Sequence, residues 1–270
     1  MSPFQVFLTR PAGRNGAVPG RLRAAAFDVH ELPALELRPV PVIAFPDPSE
    51  FDLIVFVSRY AVQRFFAEWR TRSPEAAWPV TALAGAVGAS TASALRAEGV
   101  PVTRLVHPPA DVPAQDSEAL VQLLDARGHV PRRVLIARGT EGRAWLSETL
   151  AARGAVVRLL PLYERVPAPW SATAMAAVEH ALQSHAAECV FLLTSSEGVR
   201  ALAARLREKG LLQNWSRCAF VIIHERIGAT LQSELAPLCT HEVTRLALCT
   251  PDDDAIVEAI HAVARPTAEP

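Results

Sequence analysis

An apolar run ending in arginine occurs twice in this chain, 128 positions apart. Val6-Phe7-Leu8-Thr9-Arg10-Pro11 is matched by Val134-Leu135-Ile136-Ala137-Arg138-Gly139. A helix-like segment follows each run, and then an apolar stretch with Leu-Pro, Glu31-Leu32-Pro33-Ala34-Leu35-Glu36 in the first case and Leu159-Leu160-Pro161-Leu162-Tyr163-Glu164 in the second. Leu22 and Leu150, Val29 and Val157, Pro33 and Pro161, and Glu36 and Glu164 keep the same offset. One offset held over about thirty residues marks an internal duplication, so whatever the first copy folds into, the second must fold into as well.

Within the first copy, residues 6–8 read as a buried strand and residues 10–16 as a turn. Residues 17–26 read as a helix with Pro19 in its first turn, and residues 28–37 as one further strand. Residues 38–48 hold four prolines (Pro39, Pro41, Pro46, Pro48) in eleven positions, the composition of an extended linker. Strands follow at 53–57, 83–88 and 102–106, with helical periodicity over 61–69, from Ser90 to near Gly99, and from the capping Asp116 to about Leu124. The second copy reads alike: strands at 132–137, 155–162, 190–193 and 220–223, a Pro-rich break at 166–170, and a last helix capped by Asp252-Asp253-Asp254. Ser58 and Ser195, Leu95 and Leu231, and Asp116 and Asp252 keep an offset of 136 or 137. Continuous apolar strands alternating with helices predict α/β architecture, with doubly wound parallel sheets covered on both faces. The two Pro-rich breaks fall at the same place in each copy. Periodicity leaves two arrangements open, one lobe per copy or a chain that crosses between lobes at each break.

A formal net charge of −1 provides no basic field for nucleic acid. No apolar stretch approaches the roughly twenty residues of a membrane span, and the start lacks the pattern of a signal peptide. Cys189, Cys218, Cys239 and Cys249 form no CxxC pair and no zinc-spaced cluster, and read as reduced thiols of a cytoplasmic protein. No metal site is expected. Asp252-Asp253-Asp254 reads as a helix start, and the histidines are scattered, with His224 alone at a strand end.

In doubly wound sheets, ligands bind outside the carboxyl ends of the strands. That rule selects the turns at 10–14, 58–60, 88–91, 138–143, 194–198 and 224–227. Each brings small, hydroxyl or cationic residues to a helix start, where free N–H groups and the helix dipole favour anions. Arg10, Arg14, Arg138 and Arg143 add guanidinium groups suited to carboxylates. Ser or Thr at such places also serves as a plain helix cap. Neither a GxSxG elbow, an HExxH pair, a Walker pattern nor a full GxGxxG occurs.

Taken in order, these motifs resemble the uroporphyrinogen-III synthase family. Thr9-Arg10-Pro11 looks like that family's opening, Phe56-Val57-Ser58 with Ala61-Val62 like its FTSxxAV segment, and Ala86 to Ala92 like its xVGxxTA turn. Arg138-Gly139-Thr140-Glu141-Gly142-Arg143 resembles RGxxGR, Leu160-Pro161-Leu162-Tyr163 resembles LPLY, and Thr194-Ser195-Ser196-Glu197-Gly198-Val199 resembles a second TSxxxV. The second-half turn departs from the pattern. Where the family has IGxxTA, this chain has Ile223-His224-Glu225-Arg226-Ile227-Gly228, with His224 for the glycine and Ile227 for the threonine.

The resemblance implies two flavodoxin-like lobes joined by a two-stranded linker. One lobe would be discontinuous (1–37 plus 168–270), with linkers at 38–48 and 161–167 and a second lobe at 49–160. It implies an inter-lobe active site, no cofactor, and a linear tetrapyrrole substrate, hydroxymethylbilane, with eight carboxylates. The enzyme would act as a cytoplasmic monomer, a cyclising lyase of heme biosynthesis without nucleic-acid or membrane partners. Tyr163 matches the family's tyrosine and is the expected proton donor. Arg10, Ser58, Thr91, Arg138, Ser195, Ser196 and Arg226 are the expected substrate contacts. A different class of function also fits paired α/β lobes: a non-enzymatic binding or sensor protein for a small anionic metabolite.

Overall fold

Leu53-Ile54-Val55-Phe56 and Cys189-Val190-Phe191-Leu192-Leu193 are buried along their whole length. Strands without a polar face have to be covered by helices on both sides. The computed structural model describes residues 4–109, 116–236 and 245–264. Its elements, in chain order, are β1 (Gln5–Leu8), α1 (Val18–Ala24), β2 (Asp28–Glu31), β3 (Leu35–Pro39), β4 (Leu53–Phe56), α2 (Arg59–Arg72), β5 (Leu83–Ala86), α3 (Ala89–Ala97), β6 (Leu105–Val106), α4 (Ser117–Ala126) and β7 (Arg133–Gly139). They continue with α5 (Trp145–Ala152), β8 (Val156–Pro167), α6 (Ala172–His185), β9 (Cys189–Leu193), α7 (Ser196–Glu208), α8 (Leu212–Trp215), β10 (Ala219–Ile222), α9 (Glu225–Leu235), β11 (Leu246–Leu248) and α10 (Asp253–Ala264). Contacts divide the chain into two compact units, Met1–Glu36 with Val166–Pro270, and Leu37–Arg165.

The first unit holds a parallel sheet in the order β11-β10-β9-β1-β2. Counted along the chain this is the flavodoxin-like order 2-1-3-4-5, with its reversal between β1 and β9. Alternation along the strands separates two cores. Val6, Leu8, Val190 and Leu192 meet the apolar faces of α1 and α10, while Phe7, Phe191 and Phe220 meet α6 to α9. Phe7 stacks on Phe191 with ring centroids 4.5 Å apart.

The second unit is built on the sheet β3-β8-β7-β4-β5-β6. Read from β7, then β8, β4, β5 and β6, it repeats the order 2-1-3-4-5, with β3 added at the edge and the reversal between β7 and β4. Each sheet therefore takes the first two strands of one sequence copy and the last three of the other. Ile54, Phe56, Leu135 and Ala137 pack beneath α2 and α3, and Leu53, Val55, Val134 and Ile136 beneath α4 and α5.

Two sequence expectations are corrected. Residues 28–37 are not one strand: β2 ends at Glu31 and β3 begins at Leu35, in different sheets. Proline alone does not make this break, because the equivalent Pro161 lies inside the uninterrupted β8. The carbonyl of Pro33 instead accepts the indole N–H of Trp170 at 2.9 Å, outside any ladder. Residues 102–106 are mostly a 3-10 turn (Val102–Arg104) behind Pro101, which leaves β6 only two residues. Of the segments expected as a two-stranded linker, residues 161–167 all belong to β8, and within 38–48 the strand β3 extends to Pro39. Cys239 lies outside the described residues, as does His241.

Candidate active site

Ser58 stands two residues past the end of β4 in extended backbone (φ −162°), and its Oγ caps α2 by accepting the Ala61 N–H at 3.0 Å. The same oxygen lies 3.0 Å from the phenol oxygen of Tyr163. Tyr163 is 3% exposed and stands on β8, where a bulge between Arg138 and Gly139 brings it opposite Gly139. A Cβ on Gly139 would lie 3.0 Å from the Tyr163 ring, so only glycine lets the ring lie this close to β7. Two hydrogen arrangements satisfy the hydroxyl pair. When Ser58 donates to Tyr163, the phenol proton is left for a ligand; when Tyr163 donates, Ser58 carries the outward proton.

Arg138, at the end of β7, directs Nε to the carbonyl of Gly139 at 3.1 Å. Its guanidinium has no carboxylate partner among the described residues. Gly142 has φ +146°, a backbone that requires glycine, and a Cβ there would stand 2.7 Å from Arg138 Nη2 and push the guanidinium aside. Arg143 forms a bidentate pair with Glu118, at 2.8 and 3.1 Å. Ser58, Arg138, Arg143 and Tyr163 line one cavity of about 330 Å³, together with Glu141 and Arg165. It opens at the carboxyl ends of β4 and β7, the reversal point of this sheet. Three arginines against Glu141 and the Glu118 that pairs Arg143 leave one positive charge in excess, and with hydroxyls between them suit an anionic ligand. Thr91 lies apart from this lining, 3% exposed on the inner face of α3 beside Ala92 and Leu95.

The remaining expected residues belong to the other unit. Arg10 is engaged by its own surroundings: Nη2 donates to the Pro251 carbonyl at 2.8 Å, and Nη1 lies 3.4 Å from Asp253 Oδ1. Its side chain is only 11% exposed, and it braces the turn after β1 against the start of α10. Ser195 caps α7 by accepting the Gly198 N–H at 3.0 Å. Ser196 Oγ accepts from the Thr230 hydroxyl at 2.9 Å. Arg226 is exposed at the start of α9, and its guanidinium has no partner among the described residues. No group of His, Cys, Asp and Glu able to hold a metal occurs among the described residues, and no described helix is long and apolar enough to cross a membrane.

A family model described as uroporphyrinogen-III synthase HemD matches residues 17–245. The chain belongs to the uroporphyrinogen-III synthase family. It is 30% identical over 231 residues to the uroporphyrinogen-III synthase of Salmonella typhimurium, covering 83% of this chain and 89% of that one. It is 27% identical over 241 residues to the Escherichia coli synthase, covering 86% and 92%. In fold it is similar to uroporphyrinogen III synthase of Thermus thermophilus, with a TM-score of 0.55, 17% identity and 96% and 98% of the two chains covered. The Helicobacter pylori uroporphyrinogen-III synthetase gives a TM-score of 0.57 at 14% identity, with 97% and 99% covered.

The departure from the family pattern at 224–227 has a structural account. His224 Nδ1 accepts the Arg226 N–H at 3.1 Å, so histidine supplies the cap of α9. Ile227 is 4% exposed in the core beneath α9, where a threonine hydroxyl would need a partner. Sequence reasoning overlooked Arg165, Ser117 and Ser147 among the cavity residues. Arg165 was within reach, because it lies two positions beyond Tyr163 on β8 and so shares its face. The two serines stand in the first turns of α4 and α5, and no local pattern marks them as lining a cavity.

Proposed function

We propose that this protein catalyses the reaction named for its family, converting hydroxymethylbilane to uroporphyrinogen III with loss of water. The observation that carries this reading is the hydroxyl pair of Ser58 and Tyr163, 3.0 Å apart in an arginine-lined cavity of a chain of this family. Tyr163 is the proton donor to the departing hydroxyl. The C–O bond breaks, the oxygen leaves as water, and the pyrrole nitrogen, keeping its proton, supplies electrons to give an electrophilic azafulvenium ion. The Ser58 hydroxyl and the amino end of α2 stabilise the negative charge left on the phenol oxygen. A cavity of about 330 Å³ lies at the lower end of ligand pockets, so it suits the reacting end of the tetrapyrrole rather than the whole molecule.

The substituted carbon of ring D then bonds to the electrophilic carbon on ring A, giving a spiro intermediate. Its older bond to the bridge from ring C breaks, that bridge bonds to the unsubstituted carbon of ring D, and loss of that carbon's proton restores the pyrrole. Free in solution the unsubstituted carbon closes instead, giving isomer I, so much of the catalysis is positioning. Arg138 and Arg143 bind carboxylates of the substrate at this cavity. Ser195, Ser196 and Arg226 are further contacts for its carboxylates, Ser195 and Ser196 through the free amides of α7 and Arg226 through its guanidinium, while Arg10 and Thr91 support their own turns. The two units correspond to a discontinuous lobe and an inserted one. The enzyme works as a cytoplasmic monomer, a cyclising lyase without cofactor. The sensor reading has no support comparable to family membership.

Supplying enzymatically generated hydroxymethylbilane and resolving the product isomers tests the proposal. Isomer III formed faster than spontaneous closure supports it; isomer I alone, at the uncatalysed rate, refutes it.

A further inference from the structure

The chain has two tyrosines, and they touch. Tyr60 lies in the first turn of α2, two residues after Ser58. Its ring meets that of Tyr163 edge-on, with centroids 5.1 Å apart and planes at 82°. Its hydroxyl donates to the Leu37 carbonyl of β3 at 3.3 Å, which fixes the Tyr60 ring from the far end. Tyr163 thus has three contacts that set its orientation: Gly139 of β7 against the ring, Ser58 on the hydroxyl, and Tyr60 against the ring from the same helix turn as Ser58. Edge-to-face aromatic pairs favour one relative orientation, beyond the apolar area they bury. A tyrosine ring has two main side-chain torsions, and its oxygen stands far from the backbone. A small tilt of the ring therefore moves the hydroxyl by a large fraction of a hydrogen-bond length.

We infer that Tyr60 is a positioning residue for Tyr163: it holds the ring so that the phenol oxygen stays against Ser58 and its proton points into the cavity. This rests on the reading of Tyr163 as proton donor. Tyr60 does not line the cavity, so it acts through Tyr163 rather than on the substrate.

The test measures kcat and KM for isomer III formation in Tyr60→Leu, Tyr60→Phe, Tyr163→Phe and the double variant Tyr60→Leu/Tyr163→Phe. Misplacing a catalytic group by a fraction of an ångström lowers turnover, so Tyr60→Leu is expected to reduce kcat by about tenfold with KM nearly unchanged. Tyr60→Phe keeps the ring and is expected to stay within about twofold of wild type. Once the Tyr163 hydroxyl is gone, Tyr60→Leu is expected to have no further effect on kcat. Unchanged kcat in Tyr60→Leu overturns the inference. So does the same proportional loss in the Tyr163→Phe background, which would show that Tyr60 supports the unit in general. Unchanged turnover in Tyr163→Phe alone overturns the donor reading first, and that outcome is distinct from the other two.

Discussion

Arg10 and Arg138 occupy the same place in the two copies of the duplicated segment, and their surroundings differ. Arg10 reaches Asp253 and the Pro251 carbonyl, while Arg138 has a backbone carbonyl and the space left by Gly142. The positions equivalent to Tyr163, Gly139 and Gly142 in the first copy are Leu35, Pro11 and Arg14. Leu35 is buried in the core, so the serine that matches Ser58, Ser195, caps its helix without a phenol beside it. Duplication preserved the scaffold, with the same strand order and the same serine cap in each unit. Among the described residues, the second unit brings together the hydroxyl pair, the close approach over Gly139 and a strand-end arginine without a carboxylate partner, while the first unit has Arg10 tied to Asp253 and no phenol beside Ser195. The proposed chemistry accordingly belongs to the cavity at the reversal point of the second sheet.

The largest effects test whether the two scaffolds are as alike as their topology. Phe56 of β4 and Phe191 of β9 are both fully buried. Phe56→Ala and Phe191→Ala are each expected to lower unfolding free energy by about 3–5 kcal/mol in urea titrations. A loss below about 1 kcal/mol at either position would show that the sheets are not equally consolidated.

The arginine pair sharpens the contrast. Arg10→Ala is expected to lower stability by about 1.5–3 kcal/mol, the range for hydrogen bonds to charged groups, and to leave kcat unchanged. Arg138→Ala is expected to raise KM for hydroxymethylbilane about tenfold, with a smaller change in stability. Chemical denaturation paired with steady-state kinetics on both variants reads this directly. A KM effect confined to Arg10→Ala would reverse the assignment.

The fold was largely legible because the strands carry continuous apolar runs and the copies share an offset, so each copy checks the other. Ser58 and Tyr163 were legible through family motifs, and Arg138 through its place at a strand end. The difference between Arg10 and Arg138 was not, because the partner that immobilises Arg10 stands 243 positions away, and both arginines follow the same kind of apolar run. Tyr60 was passed over because its contact with Tyr163 depends on the bulge between Arg138 and Gly139, which no local pattern announces. The break between β2 and β3 was hidden for a similar reason: Pro33 has a counterpart inside an unbroken strand, and what distinguishes it is a distant tryptophan.

A smaller effect concerns the opposite end of the second sheet. Asp52 accepts the backbone N–H groups of Arg133 and Arg132 at 2.8 and 2.9 Å and ties the start of β4 to the start of β7. These bonds, the one from Arg133 foremost, hold its carboxyl below the ordinary carboxylate range. Its folded value is thus lower than its unfolded one, so its contribution is complete above about pH 4 and is lost as pH falls through the folded value. The site is largely open to solvent, and Asp52→Asn is expected to lower stability by at most about 1 kcal/mol at pH 7. The difference from wild type should shrink below about pH 4. Thermal unfolding of both proteins from pH 7 to pH 3 checks this, and a difference that grew on acidification would contradict it.

The claim that catalysis resides in the second unit's hydroxyl pair is tested most directly by kcat for isomer III formation in Tyr163→Phe, with Ser195→Ala as the matched change in the first unit. The expected result is a fall of at least about tenfold for Tyr163→Phe, the low side of general-acid contributions, with the folded structure retained and Ser195→Ala affected less. Turnover unchanged in Tyr163→Phe would contradict the account.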